Sequence, residues 1–147
     1  MKCFALGSLL AAVALATSGC GGASRPATTG VSRLPTSLRA YIHSTKTTWR
    51  DGPINEIDVY GPASRGALVK ASSGDLVFDH SKGFYLLVMH GNFVCTWCSS
   101  PRGGTTQTGT VETQVWSPKQ GGTDAGIEHA VPAGIAKLHR LATIQVN

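Results

Sequence analysis

The sequence predicts a small α+β domain, in which one or two N-terminal helices pack on an antiparallel sheet of three to five strands. Three observations carry this prediction: apolar side chains at helical spacing early in the chain, a long apolar strand in its middle, and an alternating strand followed by a glycine-rich turn. The 147 residues are enough for one hydrophobic core and too few for two domains.

The first helix is predicted over residues 35–49. Its apolar and small side chains recur every three or four residues: Leu34, Leu38, Tyr41, Ile42, Thr45 and Trp49. Pro35 suits the first turn of a helix, and the run Asp51-Gly52-Pro53 ends the segment.

A short strand and a second helical pattern follow. Residues 56–60 suit a strand, and the helical pattern begins at Pro62 and stops at residues 72–75, which are Ser, Ser, Gly and Asp. Residues 76–78 are predicted as a minor strand before a polar turn.

The strongest strand is predicted over residues 84–94. It is apolar on both faces at its start and mixed at its end, which is typical of a central strand covered by a helix. Gly91 marks a candidate bulge. One face carries Tyr85, Leu87, Met89, Phe93 and Cys95.

The last third of the chain is predicted as a hairpin and a final strand. Residues 110–116 alternate cleanly, residues 117–122 form a turn, and residues 123–129 return. Residues 132–137 are a connector, and residues 138–146 are the last strand.

A short apolar segment at the N-terminus has the layout of an export signal. Lys2 supplies a positive charge, and the uncharged residues 4–17 are too few to cross about 30 Å of hydrocarbon at about 1.5 Å per residue. The run Ala16-Thr17-Ser18-Gly19-Cys20 resembles the lipobox of bacterial lipoproteins, with Thr17 in the place of the usual Leu. The alternatives are a plain secretory signal and a buried helix that ends in cysteine.

The lipoprotein resemblance implies a chain of three parts. Residues 1–19 are the signal peptide, and Cys20 becomes the first mature residue and carries fatty acids such as palmitate. The lipid bilayer is then its partner, on the extracytoplasmic face of the cell membrane. Residues 20–33 form a flexible tether of about 20 Å, and residues 34–147 form the single domain.

Two of the four cysteines remain as thiols once Cys3 leaves with the signal and Cys20 carries lipid. Cys95 and Cys98 form a C-x-x-C, for which a structural disulfide, a redox pair and a metal site compete. The loop-like residues that follow do not provide the helix N-terminus of a thioredoxin-type site, and a closed zinc site lacks its other ligands. A structural disulfide is therefore the favoured interpretation.

Composition and motifs exclude several function classes. The net charge of +5 is scattered without a basic run, so no nucleic-acid partner is expected. The sequence contains no nucleophile elbow, zinc-protease, phosphate-loop or dinucleotide motif, and its eight carboxylates are dispersed. We therefore expect no catalytic residues, no cofactor and no metal ligands.

A non-catalytic binding or interaction domain is the function that these observations favour. His90 and Asn92 lie at the mixed end of the strongest strand and, with Trp97, form a candidate binding surface for an unknown envelope protein or small ligand. The alternative is an envelope thiol–disulfide protein that uses Cys95 and Cys98.

Residues 59–127 also resemble small exported proteins of high-GC Gram-positive bacteria. The segments Tyr85-Leu86-Leu87-Val88-Met89-His90-Gly91-Asn92-Phe93 and Thr110-Val111-Glu112-Thr113-Gln114-Val115-Trp116 carry this resemblance. It implies an exported protein, and it identifies no catalytic residues.

Overall fold

The computed structural model of the protein describes residues 27–49, 51–96 and 106–146. Its two helices and five strands confirm the predicted α+β domain. The helices are α1 (Thr36–Thr48) and α2 (Arg65–Ser73), and the strands are β1 (Ile54–Ala63), β2 (Phe84–Val94), β3 (Thr108–Ser117), β4 (Gly121–Glu128) and β5 (Arg140–Gln145). Short 3₁₀ turns lie at Val31–Arg33 and Ala133–Lys137.

The five strands form one antiparallel sheet in the order β4-β3-β2-β1-β5. β2 is the central strand and has the bounds that its apolar pattern predicts. Its pairing with both neighbours is irregular near Gly91, as expected for a bulge. β5 pairs with β1 at one edge of the sheet, and Thr29 near the N-terminal end of the domain pairs with this same strand.

Each face of the sheet is covered by one helix, because β2 is apolar on both faces. On one face, α1 packs Leu38 and Ile42 against Leu87 and Met89. On the other face, α2 and the second 3₁₀ turn pack their apolar side chains on the sheet; this cluster comprises Leu68, Val69, Phe84, Leu86, Val88, Val111, Val115 and Ile135. α2 lies between β1 and β2 in the chain and not before the sheet.

Residues 76–78 do not form the predicted minor strand. They belong to a loop that lies against the start of α2, where Gly66 N–H donates to the carbonyl of Asp79 at 3.0 Å and Arg65 N–H donates to that of Ser81 at 3.1 Å. The loop backbone pairs with the helix start and not with the sheet. Phe78 consequently stands in solvent, 89% exposed.

Residues that precede Leu34 also lie against the sheet. Thr29 exchanges two backbone hydrogen bonds with Thr143 on the outer edge of β5, at 2.8 and 3.1 Å. The hydroxyl of Thr28 accepts from the backbone N–H of Gln145 at 3.0 Å. The end of the predicted tether therefore lies on the sheet, whereas the predicted signal peptide and Cys20 lie outside the described residues.

Across the described ranges, no helix is both long enough and apolar enough to cross a membrane.

Candidate functional site

The alternation of β1 brings two carboxylates to the same face of the sheet. Ile57 and Val59 point into the core beneath α1, so Glu56 and Asp58 point to the opposite face, which α2 covers in part. The register of the sheet sets Glu56 opposite His90 of β2 and Gln145 of β5. Residues that are far apart in the chain thus meet at one corner of the sheet.

We call the group Glu56, Asp58, His90 and Arg140 the polar corner. Its members come from three adjacent strands, and Asp58 is buried among the other three. The side chains of His90 and Glu56 remain 30% and 25% exposed, and that of Arg140 is 56% exposed. The corner is therefore open to solvent above a buried carboxylate.

Both carboxylates are held from the side that faces β5. Asp58 accepts a hydrogen bond at Oδ1 from the hydroxyl of Thr143, and Glu56 accepts one at Oε2 from the side-chain amide of Gln145. Arg140 lies 3.3 Å from Asp58 Oδ2. These contacts direct Oδ2 of Asp58 and Oε1 of Glu56 toward His90.

The imidazole of His90 lies between these two oxygens without a hydrogen bond to either. Its Nε2 atom is 3.7 Å from Asp58 Oδ2 and 3.9 Å from Glu56 Oε1, and both distances are too long for a hydrogen bond. This Nε2 atom is shielded from solvent and has no hydrogen-bond partner among the residues that the structure describes. A buried nitrogen left unpaired between two carboxylates is costly unless another group completes it.

Charge coupling shifts the pKa values at the polar corner. Burial alone would raise the pKa of Asp58, but its interactions with His90, Thr143 and Arg140 together hold it below its ordinary value. The carboxylate of Asp58 raises the pKa of His90, and partial burial opposes this shift. The carboxylate of Asp58 and the protonated imidazole of His90 therefore stabilise each other's charged forms.

Asn92, the other described residue of the predicted binding surface, does not contact the polar corner's side chains in any hydrogen bond or ion pair among the described residues. Asn92 is exposed and lines a shallow depression with His129 and Thr110, beyond the bulge at Gly91. Trp97 and Cys98 lie outside the described residues. Of the three residues of the predicted binding surface, His90 is the one that the polar corner contains.

Cys95 is a core residue at the end of β2. It is 5% exposed, packs in the core cluster with Phe93, and is disulfide-bonded. The partner predicted for it, Cys98, lies outside the described residues. Next to it, Asp51 accepts hydrogen bonds from the backbone and the hydroxyl of Thr96 at 3.1 and 2.8 Å, so the end of the strand is firmly held.

Sequence reasoning missed the acidic half of the site. Glu56 and Asp58 fall in a predicted strand, and their alternate spacing was the available signal that they share a face. The contributions of Arg140, Thr143 and Gln145 depend on the pairing of β5 with β1, which no local pattern encodes.

A scan against protein-family models finds no match to this chain, and searches of curated proteins and of solved structures find none either.

Proposed function

We propose that the protein is a lipid-anchored, extracytoplasmic binding protein, and that the polar corner is its non-catalytic binding site. One observation carries the binding proposal: the shielded, unpaired Nε2 of His90 lies between two carboxylate oxygens whose partner oxygens are already hydrogen-bonded. Such a site suits a ligand that binds at its centre and supplies the contact that Nε2 of His90 lacks.

The path of the N-terminal segment supports placing this site near the membrane. Thr28 lies against Gln145, and Gln145 in turn donates to Glu56 of the polar corner. If Cys20 carries lipid, seven residues separate it from Thr28, and a coil of that length spans about 15 Å. The polar corner would then face the region just above the lipid head groups.

The environment of Cys95 supports a structural role for its disulfide. A redox cysteine needs access and a stabilised thiolate, usually at a helix N-terminus. Cys95 is buried and follows a strand, with its backbone N–H donating to the carbonyl of Gln107 at 2.8 Å. The thiol–disulfide alternative therefore finds no support in the surroundings of Cys95.

Native mass spectrometry of the protein extracted from membranes in detergent tests both parts of the proposal. We expect an added acyl mass that disappears in Cys20→Ala, and a bound ligand mass that disappears in His90→Gln. The control variant His80→Gln changes an exposed histidine outside the polar corner and should keep both masses. An acyl mass that persists in Cys20→Ala would contradict the anchor, and a wild type without bound ligand would contradict the binding site.

A further inference from the structure

We infer that the ligand of the polar corner is a divalent first-row transition-metal ion, bound by Glu56 Oε1, Asp58 Oδ2 and His90 Nε2. The inference names the ligand class of the binding site proposed above and rests on that proposal. It follows from the positions of the donor atoms, from the contacts that orient them and from their chemistry.

The three donor atoms have the separations that a bound metal ion requires. One ligand atom from each of the three residues lies within 4.8 Å of the other two, and His90 Nε2 is 3.7 Å from Asp58 Oδ2 and 3.9 Å from Glu56 Oε1. A point equidistant from atoms so arranged lies about 2.0 to 2.5 Å from each, whereas zinc binds nitrogen and carboxylate oxygen at about 2.0 to 2.2 Å. Shifts of a few tenths of an ångström would close the site on an ion.

The carboxylates are oriented as metal ligands usually are. Protein ligands of a metal are held by hydrogen bonds from neighbouring side chains, which fix the direction of the donor atom. Thr143 and Gln145 perform this task for Asp58 and Glu56 by binding the outer oxygen of each carboxylate. The inward oxygen of Asp58 is shared with Arg140. A simple surface ion pair has no need of this second layer of contacts.

The donor set selects the class of ion. An imidazole nitrogen suits zinc, cobalt, nickel or iron and is a poor ligand for calcium or magnesium, which prefer oxygen alone. Three protein ligands leave room on the exposed side for water or for a further ligand.

Arg140 limits the affinity of the site. Its guanidinium lies 3.3 Å from the same Oδ2 atom of Asp58 that would bind the metal, so the two cations compete for one carboxylate. More than half of the Arg140 side chain is exposed, so it can turn toward solvent when the ion enters. The site is therefore suited to an exchangeable ion.

Metal titration of the full chain, stripped with EDTA, tests the inference. Zn²⁺ is followed by calorimetry and Co²⁺ by its visible absorption. We expect one site on the order of micromolar affinity, weakened at least tenfold by His90→Gln and by Glu56→Gln. The matched controls His80→Gln and Glu128→Gln replace exposed residues of the same kinds outside the polar corner and should bind as the wild type does.

Three results would overturn the inference: no saturable binding of Zn²⁺ or Co²⁺, binding that His90→Gln leaves intact, or binding of Ca²⁺ alone. Circular dichroism of each variant establishes that it is folded. If His90→Gln unfolds, Glu56→Gln decides whether the polar corner binds the ion, because Glu56 is half-buried and Gln has the shape of Glu. An organic ligand found by native mass spectrometry at the polar corner would refute the metal and leave the binding proposal standing.

Discussion

At the scale of single residues, the charges of this domain work through partners on distant segments. Asp58 is buried in the sheet, yet its carboxylate contacts His90 of β2 and both Thr143 and Arg140 of β5. Arg140 contributes a positive charge. A buried carboxylate without such partners would be strongly unfavourable. Replacing one partner therefore perturbs the whole polar corner.

Arg65 and Asp124 form a second ion pair, and it predicts how stability depends on pH. Arg65 donates two hydrogen bonds of 2.7 Å to the carboxylate of Asp124, and this contact lowers the pKa of Asp124. A lowered pKa in the folded state means that the stabilisation is present above the unfolded pKa of about 3.9 and is lost as pH falls through the folded value.

We expect Asp124→Asn to reduce the free energy of unfolding by about 0.5 to 1 kcal/mol at pH 7 and by much less near pH 3. Asp124 has a positive φ of 42°, which Asn tolerates, so the change removes charge without straining the backbone. Urea unfolding at several pH values measures the difference, with Glu128→Gln on the same strand as the control. A stability difference between wild type and Asp124→Asn that does not vary with pH would contradict a stabilising ion pair between Arg65 and Asp124.

How far single residues could be predicted depends on the range of their contacts. His90 was singled out because a histidine in a strand is visible locally. Its partners Glu56 and Asp58 are separated from it by a helix and a loop, so their proximity depends on strand register. The expectation that the chain has no metal ligands rested on the absence of local spacing motifs, and it stays a prediction that metal titration will test.

At the scale of elements, the sequence predicted helices and strands well where a clear apolar pattern or a terminating residue such as glycine marks their ends. β2 was predicted with its correct bounds because its apolar pattern is long, and α2 ends at Ser73, where Gly74 takes the left-handed conformation with φ 82°. β1 was predicted too short, since its last residues include Gly61 and Pro62, which usually break strands. Loop 76–78 was mistaken for a strand because apolar residues usually mark one.

The packing of α2 against loop 76–78 predicts that replacing Gly66 by alanine, which usually stabilises a helix, destabilises this domain. Alanine is favoured over glycine within helices by about 1 kcal/mol. At Gly66, however, an added Cβ would lie 2.2 Å from the carbonyl oxygen of Val77, so the loop must move. We expect Gly66→Ala to destabilise the domain by about 1 to 3 kcal/mol, since overpacking outweighs helix propensity.

Thermal or urea unfolding measures this effect, and Gly74→Ala is the comparison at the other end of α2. Apart from its immediate chain neighbours, no described residue has an atom within 4 Å of a Cβ at Gly74. That variant should therefore lose only the roughly 1 kcal/mol that a left-handed residue other than glycine costs. A Gly66→Ala variant more stable than the wild type would show that the loop does not pack as described.

At the scale of the whole molecule, the fold class was predictable and the site was not. Periodicity and turn residues identify helices, strands and the hairpin, but they do not encode which strand pairs with which. The polar corner depends on β5 pairing with β1, in which the paired residues Asp58 and Thr143 are 85 positions apart in the chain. A long-range pairing of this kind produces both the site and the route by which the N-terminal segment reaches it.

This route predicts the effect of shortening the chain. A chain that begins at Val31 lacks the backbone pair between Thr29 and Thr143 and the contact of Thr28 with Gln145. At about 0.5 to 1.5 kcal/mol for each hydrogen bond, we expect it to be about 2 kcal/mol less stable than a chain that begins at Ala27. Equal urea midpoints for the two chains would exclude an energetic role for the segment.

The position of Thr28 and Thr29 on β5 also bears on self-association. A sheet polymerises by edge-to-edge pairing only if both of its edges can accept a strand. The N-terminal segment occupies part of the β5 edge, so pairing through β4 would join two copies about a two-fold axis and then stop. The same few residues that attach the segment to the domain therefore limit edge-to-edge association of the sheet to a dimer.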